Sequence, residues 1–179
     1  MTAAAFLAVA LRMTAALLLL AAGWGKWRTP GQFRDNLSAT FGVKPRLAAV
    51  LAPGIAAAEA VLGFGLFAGG AASQAALAGA LLMFAVFTAV VAWKYATEDI
   101  VKCSCFGDAD RSVSGFDLVR NFAIICGIAF SLALGSSASF GMSWQATICA
   151  CGVATLFAVV LAYFHEIVML LLYAKEGVV

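Results

Sequence analysis

Charge is scarce in this sequence. Charged residues make up 11% of the 179, histidine occurs once and proline three times. A water-soluble domain carries about a quarter charged residues. The shortage comes with 64% hydrophobic residues and a mean hydropathy of +1.02, more apolar surface than one small water-soluble core can hide. A soluble enzyme and a disordered linker are therefore excluded. Lys and Arg total 11 against 9 Asp and Glu, so the net charge is only +2, too little for a nucleic-acid footprint. No glycine-rich stretch is followed by Lys-Ser/Thr, so a phosphate loop is absent. The apolar runs are continuous rather than alternating, which excludes a barrel. What remains is an all-α integral membrane protein, read as one transmembrane domain over residues 1–179.

A span needs about 20 apolar residues. Five runs qualify: Ala3 to Trp24, Leu47 to Ala68, Ala75 to Trp93, Leu118 to Leu134, and Ala146 to Phe164, the last extending to Tyr173 as one long helix. The segment around Arg12 mimics a signal peptide but is expected to be a retained first span. Pro30 and Gly31 predict a turn in the first link. Asp117 predicts a helix cap. Trp24, Trp27, Trp93, Trp144 and Tyr163 lie near span ends, as an aromatic belt requires. Gly65 and Gly69 form a G-x-x-x-G expected to pack helices closely.

With five spans, ten of the eleven basic residues fall on one face, and the loops of the other face have none. The positive-inside rule puts the charged face in the cytoplasm. Arg12 and Glu59 lie inside spans one and two. With the helix ends flush, both sit roughly 18 to 20 Å below the charged face. An Arg12–Glu59 pair is predicted, either a clamp between helices or a polar wall of a ligand or proton site. His165 is expected as an interfacial polar residue or a proton relay.

Four of the five cysteines form C-x-C pairs. Cys103 and Cys105 lie in the link 94–117, between Lys102 and Phe106-Gly107. A neighbouring cation favours thiolate, the reactive form. A bridge so tight is strained, and strained exposed disulfides are the oxidising, exchanging kind. Gly107 relaxes the backbone after the pair. Dithiol exchange is the chemistry this pattern favours. Soft-metal carriage (Cu, Zn or Hg) with ligands from a partner, and non-catalytic docking of a partner, are the alternatives. Cys149 and Cys151 begin span five near the other face, and Cys126 lies between in span four. They are either plain packing residues or auxiliary thiols of a ladder across the bilayer.

The order of these elements resembles the MauE proteins of methylamine utilisation, related to the DoxX-like membrane proteins. The residues that carry the resemblance are Ala22-Gly23-Trp24-Gly25-Lys26-Trp27, Phe33, Pro53, Glu59 to Gly63, Gly65-Leu66, Ile100 to Gly107 and Arg120-Asn121. It extends from about Leu11 to about Ile128, and C-x-C-F-G is its most specific part. The resemblance implies a bundle of four core transmembrane helices, here with a fifth. It also implies a multi-pass protein of a bacterial inner membrane that supports maturation of disulfide-containing periplasmic proteins with a thioredoxin-like partner. Cys103 and Cys105 are then the exchange pair of a thiol–disulfide oxidoreductase. Lys102, Phe106, Gly107, Arg12, Glu59 and Arg120 are supporting residues, and lipid, the redox partner and its client are the partners. A membrane quinone is a candidate electron acceptor, although no residue identifies a cofactor site. The family often has Gly between the cysteines, where this chain has Ser104; the C-A-C of span five is outside its pattern. Disulfides persist outside the cytoplasm, so the chemistry expects the redox link there, against the basic-residue count.

Overall fold

The computed structural model describes residues 2–97, 113–135 and 144–175. These residues form seven helices in the order α1 (Ala3–Arg28), α2 (Pro30–Phe41), α3 (Pro45–Gly65), α4 (Gly70–Thr97), α5 (Gly115–Ala133), α6 (Trp144–Ala162) and α7 (Phe164–Lys175). Among the described residues five, α1, α3, α4, α5 and α6, are long and apolar enough to cross a membrane. The protein is thus an all-α membrane protein, and these five helices cover the five apolar runs of the sequence.

α1 is the centre of the bundle. More than half of its apolar stretch is buried, against a third or less in the other spans. It packs against α3, α5 and α6, while α4 closes the ring between α3 and α5. Lipid tails offer no hydrophobic drive between helices, so close backbone approach has to hold them. Gly63 of α3 shows how: a Cβ there would meet Leu20 at 2.8 Å and the Ala16 carbonyl at 3.3 Å. On α6, Ala150 and Ala154 turn toward Val9, Ala10 and Met13 of α1. Thr14 Oγ1 shares its proton between its own Ala10 carbonyl (2.9 Å) and the Ala154 carbonyl across the interface (3.3 Å). The predicted G-x-x-x-G does not act as a unit. α3 ends at Gly65, which meets Ala76 of α4, and Gly69 lies in the turn with no neighbour.

Three local expectations are corrected. Pro30 starts a helix rather than a turn: it sits in the first turn of α2, where its missing N–H costs nothing. α2 ends at Gly42, whose φ of +66° sends the chain back into α3. Phe33 and Leu37 of α2 pack on Ala48 and Ala52 of α3. The last span is not one long helix to Tyr173. It breaks at Tyr163, with no proline or glycine there, and α7 turns to pack against α5. Asp117 is not the cap residue. Ser114 is, and the Asp117 carboxylate reaches back three residues to accept from the Ser114 backbone N–H at 2.9 Å.

Candidate functional site

The redox segment predicted from the sequence, Lys102, Cys103, Cys105, Phe106 and Gly107, lies outside the described residues. The structure does describe its two roots. The chain departs at Thr97 of α4 and returns at Val113, just before α5. These ends are neighbours: the Tyr95 hydroxyl lies 4.0 Å from where a Cβ on Gly115 would stand.

At the second root stands a polar cluster. Ser114 Oγ donates to Asp117 Oδ2 at 3.0 Å and lies 3.0 Å from Nδ1 of His165 on α7. A hydroxyl has one proton, so with that proton on Asp117 it accepts from His165. Asp117 Oδ1 faces Arg120 Nη1 at 3.6 Å, one turn on, and Arg120 donates to Asn121 Oδ1 from Nε (3.4 Å) and Nη2 (3.3 Å). Asp117, Arg120 and Asn121 are all buried. Ionised groups survive such burial only when paired and hydrogen-bonded, as these are. The cluster ties α7 to α5 at the point where the cysteine-bearing link rejoins the bundle. Sequence reasoning named Arg120 and His165 separately and did not join them. The Ser-x-x-Asp spacing followed by Arg three residues later was the available signal.

The predicted Arg12–Glu59 pair does not form. Glu59 instead pairs with Lys26, whose Nζ lies 2.7 and 2.9 Å from the two carboxylate oxygens. The two side chains are 3% and 7% exposed. Phe33 of α2 presents its ring to the same ammonium, 5.3 Å from its centroid. Arg12 donates from Nη1 to Ser73 of α4 at 3.2 Å. The ends of α1 and α3 are not flush. α2 stands beside the first part of α3, so α3 is displaced along α1. Glu59 falls beside Gly23, and a Cβ on Gly23 would meet the Glu59 Cβ at 3.3 Å. Arg12 is eleven residues further along α1, roughly 16 Å away.

Cys126, Cys149 and Cys151 are free thiols on outward faces of α5 and α6. Those helices each pack on α1 and make little contact with each other. Among the described residues, no group of three His, Cys, Asp or Glu side chains converges on a point that would hold a metal.

The fold and this site define a polytopic helical membrane protein with buried ion pairs near one end of its bundle and a cysteine-bearing link rooted at that end. The sequence matches the family model of the methylamine utilisation protein MauE over residues 4–135, and the chain belongs to that family. The match ends at Gly135, so α6, α7, Cys149, Cys151 and His165 lie beyond it. No curated protein and no solved structure matches the chain.

Proposed function

We propose that this protein is a membrane thiol–disulfide exchange protein that works through Cys103 and Cys105. It would serve a thioredoxin-like partner and support the maturation of disulfide-containing client proteins. The observation that carries the reading is a C-x-C-F-G element in a chain of the MauE family, set in the link between α4 and α5. Lys102 beside the pair favours thiolate. In the cycle, one thiolate of a reduced partner attacks the Cys103–Cys105 disulfide. A mixed disulfide forms and one cysteine of the pair leaves as thiolate. The partner's second thiolate then displaces the other cysteine, so the partner ends oxidised and Cys103 and Cys105 reduced. Reoxidation removes two electrons and two protons, and a lipid-soluble quinone is the class of acceptor a bilayer supplies.

Persistence of such a disulfide places the link outside the cytoplasm of a bacterial inner membrane, against the count of basic residues. The Lys26–Glu59 pair and the Asp117–Arg120 cluster serve as supports of that end of the bundle.

The test is thiol labelling of intact cells with a membrane-impermeant mass tag, with Cys126, Cys149 and Cys151 replaced by Ser. Labelling of Cys103 and Cys105 is expected only after mild reduction. Labelling without reduction would overturn the disulfide, and labelling only after permeabilisation would overturn the extracytoplasmic placement. In parallel, the Cys103→Ser/Cys105→Ser double variant is expected to lose client maturation, and retained maturation would sink the exchange mechanism.

A further inference from the structure

α2 and the head of α3 stand apart from the rest of the bundle. Phe33 and Leu37, packed on Ala48 and Ala52, form an apolar cluster separate from the two that hold α1 against α4, α5 and α6. The register of α1 and α3 gives the reason. The helices run antiparallel, with Gly63 against Ala16 and Leu20, and Gly23 against Ala56 and Glu59. α1 ends at Arg28, roughly 7.5 Å beyond Gly23. The same step along α3 from Glu59 reaches Gly54, next to Pro53. The head of α3, from Pro45 to Ala52, therefore projects past the end of α1 and packs on α2.

Both connections of this unit to the bundle are weak points. Pro53 lies inside α3, at the level where α1 runs out. It has no N–H for the Ala49 carbonyl, and its ring presses on that carbonyl, which is how prolines bend helices. Gly54 follows, with no atom within 4 Å of where its Cβ would stand. At the other connection α1 gives way to α2 at one residue, Thr29. Its hydroxyl donates back to the Gly25 carbonyl at 3.1 Å, and α2 starts without a side-chain cap. α2 touches α1 little. Across this seam the ring of Phe33 stands 5.3 Å from the Lys26 ammonium. It covers an ion pair, Lys26 and Glu59, whose side chains are 3% and 7% exposed. A ring face holds a cation more strongly once water is excluded.

We propose that α2 and the head of α3 form a paddle that swings about Thr29 and Pro53-Gly54, with the Phe33–Lys26 contact as its latch. Closed, the Phe33 ring shields the Lys26–Glu59 pair from water. Open, the pair is uncovered at the end of the bundle where the link between α4 and α5 is rooted. The device does not depend on thiol exchange.

The experiment measures distances between spin labels on the full chain in detergent, with the native cysteines replaced by Ser. Three label pairs are used: Ala39→Cys with Val119→Cys reads the paddle against α5, Ala39→Cys with Val50→Cys reads α2 against the head of α3, and Val61→Cys with Val119→Cys reads the bundle. All four positions are exposed. The first pair is expected to show two distances and the other two pairs one each. Phe33→Leu, which keeps an apolar side chain but removes the ring, should raise the ratio of open to closed about fivefold. Pro53→Ala, which restores the donor to Ala49, should remove the second distance. One distance for the first pair in both wild type and Phe33→Leu would overturn the paddle. A second distance in the Ala39–Val50 pair would mean that α2 leaves by itself, and one in the Val61–Val119 pair would mean that the whole bundle loosens; either overturns the proposal. Should Phe33→Leu fail to fold, wild type against Pro53→Ala decides, and equal distributions would overturn the hinge.

Discussion

Lys26 is the residue on which three helices converge: it belongs to α1, pairs with Glu59 of α3 and faces Phe33 of α2. Breaking a buried pair leaves one charge uncompensated, at a cost of about 3 to 5 kcal/mol. Glu59→Gln is therefore expected to lower the thermal stability of the detergent-purified chain strongly. The double variant Lys26→Met/Glu59→Leu should recover most of the loss, because no charge is then stranded. A double variant as unstable as the single one would show that the pair's role is not electrostatic. The sequence showed Glu59 as an ion in a span, and so in need of a partner. It did not show which partner. Arg12 and Lys26 are both cations on α1, and the choice between them depends on how far α3 slides along α1.

α2 is an element that the first link's polar composition concealed. Its Phe33 and Leu37 are spaced i, i+4, a pattern visible in the sequence but short enough to pass as part of a loop. Phe33 is 7% exposed and seats the helix on Ala48 and Ala52. Phe33→Ala should cost about 3 kcal/mol and loosen α2. Limited proteolysis in detergent would then cut between Pro30 and Phe41 at least several-fold faster than in wild type. An unchanged rate would mean that α2 is held by other contacts. The α1–α3 contact is tested by Gly63→Val, because added methyl groups would press on Leu20 and the Ala16 carbonyl. It should lower the folded yield, with a penalty of about 1 to 3 kcal/mol. Gly54→Ala, where no atom lies within 4 Å of the added Cβ, should be tolerated.

At the scale of the whole molecule the open question is orientation. Basic residues cluster at one end, yet the proposed chemistry wants that end outside the cytoplasm. Single cysteines at Ala39→Cys on α2 and Gln145→Cys at the start of α6 report the two faces, and both positions are exposed. In a background with the native cysteines replaced by Ser, an impermeant label applied to intact cells is expected to reach Ala39→Cys and miss Gln145→Cys. The reverse pattern would mean that the positive-inside rule holds and that Cys103 and Cys105 face a cytoplasmic partner.

The sequence by itself determined the solvent, the helical class and the five long apolar helices, because a bilayer requires long apolar runs and satisfies no backbone group from outside. It also placed the cysteine pair in a link, and C-x-C-F-G pointed to the family. Tertiary structure decided what depends on the relative position of helices. It paired Glu59 with Lys26, gave Arg12 to Ser73, broke the last apolar run at Tyr163 and joined His165 to Asp117 through Ser114. Periodicity within one helix fixes which residues share a face, but it carries no information on the slide or tilt between two helices. That slide is set by where small residues let backbones meet, as Gly23 and Gly63 do between α1 and α3.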